Sequence, residues 1–76
     1  MNTKVLQIDY DPERDRLTWD GWELHCGQSL EVLLPDRLGG GTWRRVAFEY
    51  NDGGWYMPGQ PGVSPVGLWA REATDN

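Results

Sequence analysis

The amino-acid sequence predicts an all-β fold, built as one small barrel of about six or seven short antiparallel strands. Turn-forming residues recur about every ten positions, a spacing typical of short strands joined by tight turns. Between these turns, apolar and polar residues alternate with the period of a half-buried strand. No window of about ten residues carries the helical period without a glycine or proline. Closure into a barrel, or nearly so, is expected because it removes exposed sheet edges.

The first part of the chain, residues 4–24, predicts three short strands. Their alternating residues lie at positions 6–10, 17–19 and 22–24. The segment DPERD at 11–15 is expected to turn, because proline supplies the φ angle that a turn requires. The dipeptide DG at 20–21 is a strong signal for a tight hairpin between the second and third strands.

The second part of the chain predicts four further strands. They are expected around residues 30–34, 42–50, 55–57 and 66–71. Three glycines at 39–41 predict a flexible loop, and NDGG at 51–54 predicts a hairpin turn. The segment PGQPGVSP at 58–65 is expected to form neither a helix nor a central strand, because its prolines lack a backbone donor and have a fixed φ.

The inward-facing positions of the alternating runs define the predicted core. They are Leu6, Ile8, Leu17, Leu24, Leu30, Val32, Val46, Phe48 and Leu68, together with some of the tryptophan rings. A chain of 76 residues is expected to be a single domain, 1–76, with an ordered core of about 4–71 and a frayed tail at 72–76. No segment has the apolar run of a signal peptide or membrane span, so we expect a cytoplasmic protein without a membrane partner.

His25 and Cys26 are the only histidine and the only cysteine in the chain, and they are adjacent. Neighbouring side chains on a strand point to opposite faces, so these two are not expected to pair as an imidazole and a thiolate. If Trp22 and Leu24 face inward, Cys26 is buried and inert and His25 faces outward. One histidine and one cysteine do not supply the ligands of a zinc site. We therefore predict no metal, no cofactor and no catalytic residues.

The charge of the chain is concentrated in its N-terminal half. Residues 1–36 carry the whole net charge of −5, whereas acids and bases balance from residue 37 onward. Because neutralisation of phosphates dominates non-specific nucleic-acid affinity, this distribution is unfavourable for a DNA or RNA binder. The predicted acidic contacts are Asp11, Glu13 and Asp15. A protein partner with a basic groove is the complement expected for them.

The aromatic residues are more numerous than a core of this size can hide. The chain has five tryptophans, and each buries on the order of 200 Å². Trp43 and Trp69 are out of phase with their apolar neighbours and are predicted to be partly exposed anchors. Trp43 precedes Arg44 and Arg45, and two interpretations stay open: a ring that covers a barrel end, or an interface patch rich in tryptophan and arginine.

Several segments carry a resemblance to a known family. They are LHCGQSLEVL at 24–33, WRRVAFEY at 43–50, GWYMPG at 54–59 and GLWAR at 67–71, with DPERDR near the start. Together they resemble a family of small bacterial domains of unknown function found on plasmids, conjugative elements and phages. The resemblance covers about residues 8–71 and implies an SH3-like barrel. The chain departs from the family in its longer loop at 35–41 and at Val46-Ala47, and the resemblance implies no catalytic residues.

Two functions of different classes are expected from these observations. The first is a non-enzymatic module of a mobile element that binds a protein partner and inhibits a host defence system, such as a CRISPR effector, by occlusion or nucleic-acid mimicry. The alternative is a nucleic-acid-binding accessory protein that uses basic and aromatic residues on a barrel face. The charge distribution favours the first, and the absence of a recognisable catalytic set disfavours an enzyme.

Overall fold

The computed structural model describes residues 4–73, which contain nine β-strands and no helix. The strands are β1 (Leu6–Gln7), β2 (Asp9–Asp11), β3 (Arg16–Trp19), β4 (Trp22–Glu23), β5 (Ser29–Pro35), β6 (Gly41–Ala47), β7 (Glu49–Asn51), β8 (Gly54–Tyr56) and β9 (Trp69–Arg71). They form three antiparallel sheets, with strand orders β1-β9-β5-β6, β2-β3-β4 and β7-β8. The predicted all-β class is confirmed. Within residues 4–73 the chain also has no helix suited to crossing a membrane.

The largest sheet is organised around the hairpin of β5 and β6. These two seven-residue strands pair along their whole length, from Ser29 opposite Ala47 to Pro35 opposite Gly41. The loop between them is closed by the side chain of Asp36, whose Oδ1 accepts hydrogen bonds from the backbone amides of Leu38 and Gly40, both at 2.9 Å. Asp side chains commonly stabilise turns by accepting hydrogen bonds from backbone amides a few residues further along the chain.

Two buried residues mark the points where the chain passes from one sheet to the next. Ile8 lies between β1 and β2, and its backbone exchanges hydrogen bonds with Gly67 and Leu68. Phe48 lies between β6 and β7, and its amide donates to the carbonyl of Gln28. Both side chains are fully buried. These bends divide the long predicted runs into shorter strands, so the structure has nine strands in place of six or seven, and the sheets do not close into a barrel.

The core lies between the inner face of the four-stranded sheet and the other two sheets. Its buried side chains are Ile8, Leu17, Trp19, Leu24, Leu30, Val32, Leu34, Val46, Phe48, Met57 and Ala70. Trp19 connects the three-stranded sheet to the four-stranded sheet. Its indole Nε1 donates to the carbonyls of Leu6 and Ala70 at 3.1 and 3.2 Å. Seven of the nine predicted core positions are buried, and Leu68 packs against them half-buried.

Three inward-facing predictions are wrong. Leu6 is 37% exposed because β1 has only two residues at the edge of its sheet. Trp22 is 72% exposed, and Cys26 is exposed as well. Cys26 is exposed because the chain turns after Leu24, where the amide of Gln28 donates to the carbonyl of His25 at 3.0 Å.

The proline-rich segment matches its prediction, whereas the last strand is shorter than predicted. Residues 58–65 contain no strand or helix, as predicted. The last strand is shorter than predicted and covers 69–71. Of the predicted tail, residues 72 and 73 follow β9 without a strand, and 74–76 lie outside the described residues.

Candidate partner-binding face

The outer face of the four-stranded sheet presents alternate residues of β5, β6 and β9. The intervening residues Val32, Val46 and Ala70 point into the core, so strand geometry directs their neighbours outward. We call this surface the Trp-Arg face and define it by Glu31, Leu33, Trp43, Arg45, Trp69 and Arg71. Two rows of side chains cross it, one apolar and one charged.

The apolar row runs from Trp43 through Leu33 to Trp69. Leu33 lies opposite Trp43 in the register of β5 and β6. The register of β5 and β9 pairs Glu31 with Arg71, and its continuation by two residues places Leu33 opposite Trp69. Trp43 is half-buried, whereas Trp69 is 46% exposed. Both predicted anchors therefore lie on one face, with a leucine between them.

The charged row holds the Trp43 ring in place. Arg71 Nε donates to Glu31 Oε1 at 2.7 Å, and both side chains are about a quarter to a third exposed. The guanidinium carbon of Arg71 lies 4.0 Å from the centroid of the Trp43 ring. A cation over an indole at this distance contributes about 0.5–1 kcal/mol at a partly exposed site. Arg71 thus restricts the orientation of the Trp43 ring.

A groove of about 470 Å³ continues the apolar row toward the β5–β6 loop. Its walls are Leu33, Pro35, Leu68 and Trp69, and its floor includes the backbone of glycines 39–41 and 67. A Cβ atom at position 41 would lie 2.7 Å from Leu33 Cδ1, so a side chain there would force Leu33 to shift. The groove has the apolar lining and the open shape that suit a side chain of a partner.

Arg44 does not belong to this face. It lies opposite Val32, on the face of β6 that also carries the buried Val46, and it is exposed. Arg45 does lie on the Trp-Arg face, where its Nε donates to Ser29 Oγ at 3.3 Å. The predicted patch of Trp43, Arg44 and Arg45 is therefore divided, because adjacent residues of a strand point to opposite faces.

The predicted acidic contacts lie at the end of β2 and in the turn that follows it, whereas Trp43 and Trp69 lie in the four-stranded sheet. Asp11 Oδ1 accepts a hydrogen bond from the amide of Glu13 at 3.0 Å, so this carboxylate closes its own turn. Glu13 is exposed. The structure therefore does not bring the acidic residues and the tryptophan anchors into one patch.

Asp15 has a structural role that the sequence did not reveal. Its carboxylate accepts hydrogen bonds from the Tyr10 hydroxyl, at 2.5 Å, and from the Tyr50 hydroxyl. Its backbone carbonyl accepts from Trp55 Nε1 at 3.0 Å, and the Tyr50 and Trp55 rings meet edge to face at 5.3 Å. Asp15 thus joins the three-stranded sheet to the β7–β8 hairpin.

These hydrogen bonds shift the pKa values of Asp15, Tyr10 and Tyr50. The Tyr10 and Tyr50 hydroxyls lower the pKa of Asp15 below its usual value, because they donate to the charged carboxylate. The same bonds raise the pKa values of Tyr10 and Tyr50, because ionisation would remove the donated proton. Asp15 is therefore an engaged carboxylate and not a free acidic contact.

Other candidate chemistry is limited in the described part of the chain. No group of three or more His, Cys, Asp or Glu side chains within residues 4–73 is arranged to hold a metal ion. Trp22, which the sequence analysis placed in the core, is 72% exposed.

Comparison with known proteins gives a family assignment. No curated protein and no solved structure matches this chain. The model of a domain of unknown function, DUF5348, matches residues 6–71, which include all nine strands of the structure. The prediction that the chain is a member of a family of domains of unknown function is confirmed: it belongs to the DUF5348 family.

Proposed function

We propose that this chain is a non-enzymatic protein-binding module that contacts its partner through the Trp-Arg face. The observation that carries the proposal is the row formed by Trp43, Leu33 and Trp69 on the outer face of a four-stranded sheet, beside the pair of Arg71 and Glu31. Tryptophan and arginine contribute most of the binding free energy at protein interfaces when they lie in a central, water-excluding patch.

The local geometry favours binding with little loss of conformational entropy. Trp43 and Leu33 are paired across two fully bonded strands, and Arg71 stacks on the Trp43 ring. An anchor that is already oriented does not have to be ordered on association, which improves affinity without new contacts. Trp69 and the groove beside it supply the exposed apolar surface that receives a side chain of the partner.

The acidic turn has a secondary part in this proposal. Asp11 and Glu13 lie at the end of β2 and in the next turn, and not in the sheet that carries Trp43 and Trp69. In this proposal they therefore affect the rate of association and do not contact the partner at the tryptophans. A basic surface on the partner is attracted by these charges, and rim charges act mainly on the association rate. Asp15 is left out of the contact because its carboxylate is held by two tyrosines.

The resemblance noted in the sequence supplies a biological setting for the proposal. We propose that the sheets correspond to an SH3-like arrangement, that the chain acts inside the cell, and that it comes from a mobile element whose defence-system target it inhibits by occlusion. The similarity of the segments at 24–33 and 54–59 to such domains supports this setting. The proposal thus predicts that the partner is a component of a defence system.

One observation favours nucleic-acid binding as a second candidate. The Trp-Arg face combines two tryptophans with Arg45 and Arg71, and single-stranded nucleic acids bind by stacking on aromatic rings beside basic residues. Arg71 is already paired with Glu31 and covers Trp43, and the chain carries a net charge of −5. These features lower the affinity expected for phosphates, so protein binding is the better-supported function.

The test is capture from a bacterial lysate by the immobilised protein, repeated with two variants. Trp69→Ala is expected to lose the captured protein, whereas Trp22→Ala is expected to retain it, because Trp22 is equally aromatic and more exposed but lies in another sheet. Equal capture by both variants would contradict the proposed face. Nuclease-sensitive capture of nucleic acid alone would establish the second candidate instead.

A further inference from the structure

Strand β6 forms one edge of the four-stranded sheet. It has seven residues and, in the described part of the chain, it is paired with β5 along one side only. The opposite edge of the same sheet is β1, which has only two residues. An edge strand presents backbone donors and acceptors that can pair with another extended chain. β6 is therefore the longest edge that this sheet offers to a partner.

The hydrogen-bond pattern shows which residues of β6 direct their backbone toward that edge. The amide of Phe48, directly after β6, donates to the carbonyl of Gln28, directly before β5, so the backbone of Phe48 faces the β5 side. Inward and outward backbone groups alternate along an antiparallel strand. Arg44 consequently faces β5, whereas Gly41 and Trp43 direct their N–H and C=O groups away from it. An added strand would pair with these outward groups.

Charge decides which kind of strand fits. Arg44 is exposed and lies in the middle of β6. If β6 paired along its full length with β6 of a second copy, in antiparallel register, Arg44 would lie opposite Arg44 of that copy. Like charges in directly opposed positions are destabilising, whereas an opposite charge there is stabilising. The edge therefore disfavours full-length self-pairing and favours a carboxylate at this position of an added strand.

The geometry points to a specific mode of binding: an extended acidic segment of the partner adds to β6 as an antiparallel strand. In this arrangement a carboxylate of the segment lies opposite Arg44, and an apolar side chain lies opposite Trp43 on the Trp-Arg face. The inference rests on the proposed protein-binding function and specifies the part of the partner that binds.

The test uses a synthetic peptide of the same length as β6 that alternates valine with glutamate. Backbone amide spectra of the labelled protein are expected to shift along β6, with slower hydrogen exchange at Trp43. The same peptide with lysine in place of glutamate is expected to bind at least about threefold more weakly. Arg44→Ala is expected to remove this preference and leave the fold unchanged, since Arg44 is exposed.

N-methylated peptides separate strand addition from simple charge attraction. The residues opposite Trp43 are the valines, and their amides donate to β6 in the proposed register. N-methylation of the valines is expected to abolish binding, whereas N-methylation of the glutamates is expected to preserve it. Equal effects of the two modifications, or equal binding of the acidic and basic peptides, would overturn the inference.

Two further outcomes are also decisive. Absence of binding at millimolar acidic peptide would overturn the inference, as would a dimer in solution that protects the β6 amides without peptide. The proposed function has a separate readout, the loss of captured protein on Trp69→Ala. If that loss is seen and the peptide result is negative, strand addition is wrong and the Trp-Arg face stands.

Discussion

The guanidinium carbon of Arg71 lies 4.0 Å from the centroid of the Trp43 ring, although the two residues are in strands that do not pair with each other. Strand β5 lies between them, and its Glu31 accepts a hydrogen bond from Arg71 at 2.7 Å. One arginine therefore links three strands across the outer face of the sheet. This arrangement accounts for the half-buried state of an outward-facing tryptophan.

Removal of Arg71 is expected to destabilise the fold and loosen the Trp43 ring. Arg71→Ala should lower the free energy of unfolding by about 1 kcal/mol, from the lost stacking and the partly exposed ion pair. Chemical denaturation monitored by tryptophan fluorescence measures the change. Arg44→Ala is the control, because Arg44 is on the opposite face of β6. An equal loss in both variants would contradict a specific role for the stacking.

The Asp15 carboxylate is expected to stabilise the protein within a defined pH range. Its lowered pKa gives a contribution that is present above the usual value near 3.8 and is lost as pH falls through the folded-state pKa. The raised pKa values of Tyr10 and Tyr50 give a contribution that is complete below about 10 and is lost as pH rises through the folded-state values. The stabilisation by this cluster is therefore greatest between these limits.

Asp15→Asn tests this window. The difference in unfolding free energy between wild type and Asp15→Asn should be largest near neutral pH and should shrink at both extremes. Asp20→Asn is the control for backbone conformation, because Asp20 has a similar positive φ of 52° and its carboxylate pairs with Lys4 at 3.2 Å and not with a tyrosine. If the difference in unfolding free energy between the wild type and Asp15→Asn does not change with pH, the stabilisation does not depend on the charge of the Asp15 carboxylate.

A side chain at position 41 is expected to displace Leu33 and to destabilise the fold. Gly41→Ala should cost about 1–3 kcal/mol, because its Cβ would lie 2.7 Å from Leu33 Cδ1 and the packed row would have to shift. The double variant Gly41→Ala/Leu33→Ala should recover part of this loss, since the opposing side chain is gone. Denaturation of the two single variants and the double variant measures the coupling, and strict additivity would exclude the contact as the cause.

Truncation of Trp43 is expected to shorten the lifetime of the complex with the captured protein. Trp43→Ala should raise the dissociation rate at a cost of about 2 kcal/mol or more, as is typical of a central interface tryptophan. Surface-based binding kinetics measure the rate, and Trp22→Ala provides the control. The unfolding free energy is measured in parallel, and a folded Trp43→Ala variant with an unchanged dissociation rate would remove Trp43 from the interface.

Neutralisation of the acidic turn is expected to act on association. Asp11→Asn/Glu13→Gln should slow binding and flatten its dependence on salt if the partner presents a basic surface, because exposed rim charges mainly steer the encounter. Asparagine at position 11 can still accept the amide of Glu13, so the turn is retained. The charge-preserving variant Asp11→Glu/Glu13→Asp is the control. If both double variants associate at the wild-type rate, the acidic turn has no part in recognition.

Several features of the fold were determined by the sequence alone, and each depends on local geometry. The alternation over residues 30–34 and 42–47 correctly separated Val32 and Val46, which are buried, from Trp43 and Arg45, which face outward. The turn at 20–21 and the hairpin at 51–54 followed from residues that tolerate turn conformations. These predictions succeeded because successive side chains of a strand must point to opposite faces.

The tertiary structure decided which strands are neighbours, and thereby the candidate site. Nothing local places Trp69 beside Leu33, or Tyr50 against Asp15, since these pairs are separated by 36 and 35 positions along the chain. The exposure of Cys26 depends on the path of the chain, because alternation applies only within a strand and Cys26 lies between β4 and β5. Alternation along a single strand specifies which face of the sheet each side chain is on. Which distant strands pair depends on the side chains that all the strands bury together in the core.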